Sequence, residues 1–316
     1  MVGMMSIGPA ESACSNCGTA LVGGFCHVCG QKRFVESDRR FGHLLHQFFA
    51  SVTDVDGRAW RTVRALLFQP GLLTGEYFAG RRARWLSPVS LFLAVSVLYF
   101  FAPMRGGDLT LQFNQQVPGS IRSLALGPDE TLTPAQIAAS AQAHSAWTAP
   151  WIERRVARRD AALRAATKGA AGYSYRDYRL AYDAKANDVS KALVILHVPA
   201  AALALMLMFA WQRRYFAEHF VFALHYLAFW MFALVLVSQL INVIRLLPDA
   251  LQPSDAVYDW LMRTVLPAYV VIALHRAYAT SWPTAILAGF GLVAAIVIFN
   301  LYVYHAIQFI VTFALT

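Results

Sequence analysis

Cys14-Ser-Asn-Cys17-Gly18 and, eight residues further on, Cys26-His-Val-Cys29-Gly30 hold every cysteine of the chain. Two Cys-x-x-Cys pairs supply four thiolates, and the glycine after each pair can take the positive φ that such a tight turn needs. The pattern is that of a zinc ribbon or rubredoxin-like knuckle with Cys14, Cys17, Cys26 and Cys29 as ligands. Soft sulfur donors in a tetrahedral set suit zinc, with iron as the chemical alternative. A stretch this short cannot bury a core, so metal coordination has to supply most of its folding free energy. Two disulfides are the other reading, and they would require an oxidising compartment. Four thiolates close the coordination sphere, which makes the metal structural rather than catalytic. His27, inside the second pair, reads as exposed rather than as a ligand.

The rest of the chain belongs to a bilayer. Of 316 residues 58% are hydrophobic and 14% are charged, and the mean hydropathy is +0.46; these values are those of a membrane protein. The formal charge of +9 does not point to nucleic acid, because the basic residues lie beside apolar segments, where anionic lipid is the nearer partner. Residues 1–13 lack the basic and apolar regions of a signal peptide, so insertion is expected to rely on an internal apolar segment.

After a polar link, Phe41, Leu44, Leu45, Phe48, Phe49 and Val52 form one apolar helical stripe suited to a membrane surface or a partner helix. His43 and His46 lie on its polar edge. A second helix over residues 58–69 sets Arg58, Arg61 and Arg64 opposite Trp60, Val63 and Leu67. Pro70-Gly71 breaks it, a short helix carries Tyr77 and Phe78, and Gly80 can cap that helix ahead of Arg81-Arg82-Ala83-Arg84-Trp85. Arginines beside a tryptophan and before an apolar run read as a cytosolic interfacial anchor, against the plainer reading of a solvated basic face.

The double Cys-x-x-Cys-Gly, Asp56-Gly57-Arg58, Thr62, Leu66-Leu67-Phe68-Gln69-Pro70-Gly71, Glu76-Tyr77-Phe78-Ala79-Gly80-Arg81-Arg82 and Pro88 together resemble a bacterial membrane-protein family known as a domain of unknown function. In that family a zinc ribbon precedes a PG…EY..GRR segment and several transmembrane helices. The resemblance is tight over residues 14–90 and looser beyond. It implies an architecture and a metal site, and it brings no mechanism.

The expected fold is an all-α integral membrane protein of about five transmembrane helices, with a small N-terminal zinc ribbon and amphipathic interfacial helices. Its divisions are 1–34 for the ribbon, 35–85 for the interfacial helices, 86–103 for the first span, 104–188 for a long polar loop with helices, and 189–316 for spans two to five. Those spans fall near 192–211, 216–244, 260–274 and 284–313. The first is short against the roughly 20 residues that cross a bilayer unaided. Within the loop, residues 134–146 and 151–168 read as helices, and Tyr173, Tyr175, Tyr178 and Tyr182 as a helix returning to the headgroup layer. Arg81 to Arg84, Arg213 with Arg214, and Arg276 lie in short connections that belong on the cytosolic side. The N-terminus is then cytoplasmic at a bacterial inner membrane, where thiols stay reduced.

Polar residues at bilayer depth are costly and mark candidate sites. Glu218, His219, His225 and His275 could form a membrane-embedded metal centre, although His219 and His225, six apart, do not share a helix face; the plainer reading is interfacial histidines bonded to backbone or headgroups. His197, Gln239, Asn242, Asn300 and His305 are further candidates, and Gly289-Phe-Gly291 reads as close helix packing. No nucleophile elbow, zincin or Walker motif is present. The expected role is non-enzymatic docking or assembly, with lipid and a protein partner on the ribbon; transport or lipid handling, and a metalloenzyme, are the alternatives.

Overall fold

The computed structural model describes residues 13–31, 33, 57–102, 148–169, 171–244, 246 and 255–316. The stripe from Phe41 to Val52, with His43 and His46, and the expected helix over 134–146 lie outside the described residues. Among those described, the elements are helical: α1 (Arg58–Phe68), α2 (Leu72–Phe78), α3 (Pro88–Phe101), α4 (Ala149–Ala166), α5 (Tyr175–Leu193), α6 (His197–Met208), α7 (Phe216–Ile244), α8 (Asp255–Ala277), α9 (Trp282–Ile298) and α10 (His305–Leu315). An antiparallel bridge joins Ala13 to Ala20 in the cysteine segment.

Among the described residues, three helical stretches are long and apolar enough to cross a membrane: Tyr175–Met208, Phe216–Ile244 and Trp282–Leu315. The expected third span coincides with α7. Its 29 residues reach about 43 Å at ~1.5 Å per residue. Two expected spans are shorter apolar helices, Pro88–Phe101 and Thr264–Ala277. Tyr175, Tyr178 and Tyr182, expected on a helix within the long polar loop, lie on α5. A capping box, in which Ser174 and Asp177 each bind the other's backbone N–H, starts α5, and a 3₁₀ turn (Val194–Leu196) carries it into α6. That side-chain cap satisfies backbone N–H groups at the start of the helix.

Contacts divide the chain into two units, 1–103 with 201–293, and 104–200 with 294–316. In the first, α7 is the central helix. From His219 to Phe229 nearly every side chain is buried, whereas Leu236, Leu240 and Val243 farther along are exposed. A helix apolar on all sides is one enclosed by neighbours or by lipid. Helix α3, begun by Ser87 accepting from the Ser90 amide with Pro88 at the first helical position, lies along α7 with Ser96 beside Met231. Tyr269 of α8 stacks on Phe229 of α7. The paired glycines of α9 mark tight packing as expected: a Cβ on Gly289 would stand 2.9 Å from Val271 and one on Gly291 2.9 Å from Met208.

In the second unit, Ile152 of α4, Tyr178, Tyr182 and Ala186 of α5, and Phe309 of α10 form the core. Arg155 lies 3.7 Å over the Phe313 ring and also donates to the Phe313 carbonyl, while Arg159 donates to that of Thr316. These arginines satisfy carbonyls that a helix C-terminus leaves without intrahelical partners. A π turn (Phe299–Tyr304) joins α9 to α10. It places Asn300 3.2 Å from Nε2 of His197, whose Nδ1 faces the Val194 carbonyl, and directs the Tyr304 hydroxyl to the Ser190 carbonyl at 3.0 Å.

Candidate metal centre and its seat

Each Cys-x-x-Cys turn closes in the same way. Gly18 N–H donates to the Cys14 carbonyl at 2.8 Å and Gly30 N–H to that of Cys26 at 2.9 Å. Cys14 N–H donates to the Thr19 carbonyl at 2.7 Å and Cys26 N–H to the Gln31 carbonyl at 2.8 Å. Gly18 has φ 77° and Gly30 φ 70°, a region where a side chain costs about 1–2 kcal/mol. The two knuckles are therefore one structural unit used twice.

The repeat converges the thiols. All four Sγ atoms lie within 4.8 Å of one another, with Cys14 and Cys29 3.6 Å apart and Cys17 and Cys26 3.5 Å apart. A tetrahedron with metal–sulfur bonds of about 2.3 Å has edges of about 3.8 Å, so the donor set fits a four-coordinate ion. All four cysteines are free thiols. The close pairs run between knuckles rather than within them, so a central ion would tie the two turns together.

Crowded thiols cannot all ionise without a cation. The hydroxyl and the backbone amide of Thr19 hold Cys17 down at about 6. Cys26 is pushed up to about 11: backbone N–H groups of Cys29 and Val28 favour its thiolate, but desolvation and the neighbouring Cys17 and Cys29 outweigh them. Cys29 is lowered, chiefly by the backbone N–H of Gln31. One member of the set thus keeps its proton so that others can be anionic, and a bound cation removes that competition.

The cysteine segment is seated on residues 80–83. Gln31, buried beside the second knuckle, directs its side-chain nitrogen to Ser15 Oγ at 3.0 Å and to the Gly80 carbonyl. Its side-chain oxygen accepts from the Arg82 and Ala83 amides at 3.0 and 3.2 Å. Ser15 donates to the same Gly80 carbonyl at 3.3 Å. Neither Ser15 nor Gln31 was indicated by the cysteine spacing. The signal that could have found them is positional, since each is a polar residue held rigidly within or just after a knuckle.

Residues 70–82 are themselves tightly specified. Arg81 N–H reaches the Glu76 carbonyl at 2.9 Å and Gly80 N–H that of Tyr77 at 3.1 Å, with Gly80 at φ 77°. That is a Schellman motif, at the glycine expected to cap the helix. Two arginines of the cluster engage residues of α2. Arg81 pairs with Glu76 at 2.5 Å, Arg82 lies 3.9 Å over the Tyr77 ring, and Arg84 is exposed. The Arg81 guanidinium, through its hydrogen bonds, holds the Glu76 carboxyl below its usual range.

Helix α1 buries one face. Thr62, Ala65 and Leu66 are buried, whereas Trp60 is 74% and Phe68 75% exposed. The inner face is held by its neighbours: Tyr269 donates to the Leu66 carbonyl at 2.6 Å, and Thr62 accepts from Leu86 N–H at 3.0 Å. At the turn, Gly71 has φ 77° and a Cβ there would stand 2.5 Å from the Ala273 carbonyl oxygen. Arg276 donates to the Pro70 carbonyl at 3.3 Å, and Arg214 lies 4.7 Å over Phe78. The arginines of three connections therefore meet α2 and its flanking turns.

Glu218, His219, His225 and His275 are engaged separately. His225 Nδ1 is 2.9 Å from the Thr74 hydroxyl, His219 Nδ1 is 2.8 Å from the Tyr278 hydroxyl, and His275 Nδ1 is 2.6 Å from the Thr280 carbonyl with its ring on Trp282. Glu218 accepts from Tyr215 N–H at 3.1 Å and faces Arg214 at 3.9 Å. Among the described residues, the four cysteines are the group placed to hold a metal ion, and these four residues do not join into a second. The imidazoles serve as links between helices, one going to α2 and another to Tyr278 just beyond α8.

A family model described as a protein of unknown function (DUF3667) matches residues 56–100, from the start of α1 to the end of α3. No curated protein and no solved structure matches the chain. The matched stretch is the one whose Pro70, Gly71, Glu76, Tyr77, Gly80, Arg81 and Arg82 carry the contacts just described.

Proposed function

We propose that the protein is a multi-pass integral protein of the bacterial inner membrane, in which a structural zinc ion on Cys14, Cys17, Cys26 and Cys29 fastens a cytoplasmic platform for docking or assembly with a protein partner. The observation that carries this reading is the convergence of four free thiols within 4.8 Å on a segment hydrogen-bonded to the interfacial loop at residues 80–83. Zinc is favoured because four thiolates suit it and close its coordination sphere, which gives the ion a folding role. The bound ion neutralises the thiolates and fixes the two knuckles against each other; the polypeptide supplies the rest.

Five spans are supported by the three long apolar stretches together with Pro88–Phe101 and Thr264–Ala277. The orientation rests on Arg81, Arg82, Arg214 and Arg276, which gather about α2 and its turns, because short connections rich in arginine stay in the cytosol. The outer face of α1, with Trp60 and Phe68 beside Arg61 and Arg64, suits the headgroup layer. Val22, Phe25 and Val28, all exposed on the cysteine segment, supply the apolar surface for a partner.

A membrane-impermeant thiol reagent, applied after chelation, is expected to label Cys17 in inside-out vesicles and not in right-side-out ones; the reverse pattern overturns the orientation. A photo-crosslinker at Phe25 is expected to give a discrete adduct that disappears when the four cysteines become serine, and absence of any adduct removes the docking role.

Transport or lipid handling is the second reading. It draws on Asn300, Tyr304, Gln308 and Thr312, buried polar residues four apart along one stretch that is long and apolar enough to span. Vesicles silent in uptake and scrambling assays under every gradient would remove it.

A further inference from the structure

The side chain of Gln31 uses its whole hydrogen-bonding capacity on one contact. A carboxamide offers two donors and an oxygen with two lone pairs. Here both donors go to Ser15 Oγ and the Gly80 carbonyl, and the oxygen takes the amides of Arg82 and Ala83. The backbone of Gln31 is in turn held by the second knuckle, through its carbonyl and the Cys26 amide. Ser15, between two ligand cysteines of the first knuckle, supplies the other contact to Gly80. Each knuckle thus extends one side chain to the same carbonyl. A Cβ on Gly80 would stand 3.1 Å from Ser15 Oγ, so the approach is close on both sides.

We propose that Gln31 is a metal-dependent latch: with the four cysteines holding an ion it clamps residues 80–83, and with the ion removed it releases them. The inference rests on the four-cysteine metal site proposed above and adds to it a target within the chain. A knuckle of this size does not keep its fold without its metal. Loss of the ion therefore frees Ser15 and Gln31 together, and the amides of Arg82 and Ala83 lose their acceptor. The released loop carries Arg81 and Arg82, whose partners Glu76 and Tyr77 lie on α2. Helix α2 in turn contacts α7 through Thr74 and His225, and Tyr278 beyond α8 through Phe78. The metal state is thus read by the loop that leads from the interfacial helices into α3. The chemistry also explains why the residue is glutamine: a glutamate could accept from the two amides but could donate to neither Gly80 nor Ser15.

Amide hydrogen exchange of the full chain in lipid nanodiscs, followed by mass spectrometry over residues 79–86 with metal content measured on the same samples, tests the latch. Four samples are compared: metal-loaded wild type, chelated wild type, Gln31→Ala and Gln31→Leu. Removal of two hydrogen bonds is expected to speed exchange of the Arg82 and Ala83 amides on the order of tenfold or more, in chelated wild type and in either variant that still carries metal. Gln31→Leu keeps most of the bulk of the side chain, offers the two amides no acceptor, and serves if Gln31→Ala fails to load. Unchanged protection in a metal-bearing variant overturns the latch, as does unchanged protection in wild type stripped of metal. A wild type that binds no metal refutes the four-cysteine site itself and the coupling with it, a result distinct from a failed latch, in which metal binds and protection stays.

Discussion

Replacing Gly71 by alanine puts a methyl group where α8 already stands. The new Cβ would lie 2.5 Å from the Ala273 carbonyl oxygen and 2.9 Å from its Cα, and the residue has φ 77°. Alanine in a left-handed conformation costs about 1–2 kcal/mol, and overpacking against a backbone that cannot swing aside costs about 1–3 kcal/mol. Gly71→Ala should therefore destabilise the protein by about 2–5 kcal/mol. Gly75, four residues on and inside α2, is the control. Nothing lies within 4 Å of a Cβ built there, and alanine in a helix is better than glycine by about 0.5–1 kcal/mol. Reversible unfolding in mixed micelles with increasing anionic detergent, followed by tryptophan fluorescence, gives both differences on one scale. The two substitutions should move the midpoint in opposite directions. A Gly71→Ala protein within about 1 kcal/mol of wild type would refute the packing of α2 on α8, because either the strain or the clash alone exceeds that in most contexts.

Three further outcomes are expected. Thr74→Val removes the hydroxyl 2.9 Å from His225 Nδ1 and leaves a buried ring nitrogen without that partner, which should cost about 1–3 kcal/mol in the same unfolding assay; no change would place water or another group at that nitrogen. Because Arg81 holds the Glu76 carboxyl below its ordinary value of 4.5, the pair contributes stability that is present above the unfolded-state value and lost as pH falls through the lower folded one. Wild type should lose stability on acidification below about pH 4.5 more steeply than Glu76→Gln, and parallel curves would contradict the pairing. A two-electron thiol oxidant such as diamide, itself reduced, should convert the cysteines into disulfides joining Cys14 with Cys29 and Cys17 with Cys26, the pairs 3.6 and 3.5 Å apart. Disulfide mapping that returned Cys14 with Cys17 instead would contradict the cross-knuckle geometry.

The parts readable in the sequence are those set by local rules. The turn glycines Gly18 and Gly30, the Schellman glycine Gly80 and the unbroken apolar run that became α7 each follow from the conformation or solvent that one short segment demands. The parts not readable depend on what a segment meets. The pattern of Arg58, Arg61 and Arg64 opposite Trp60, Val63 and Leu67 does not mark Thr62, Ala65 and Leu66 as the buried face, which is set by neighbours such as Tyr269 at the Leu66 carbonyl. His225 reads as a candidate ligand until Thr74, 151 residues away in sequence, is seen beside it. The π turn at residues 299–304 leaves no mark in an apolar pattern that suits an ordinary helix equally well. Gln31 belongs with these, since its place just after a Cys-x-x-Cys-Gly turn marks it as a polar residue held rigidly but does not say that it clamps a loop 51 and 52 positions on.

The central claim is that the four cysteines hold one structural metal ion. Elemental analysis of detergent-purified protein, wild type beside a variant with Cys14, Cys17, Cys26 and Cys29 all changed to serine, tests it most directly. The account predicts one zinc per wild-type chain and none in the variant. Wild type without metal, or metal retained at the same stoichiometry in the variant, would contradict it.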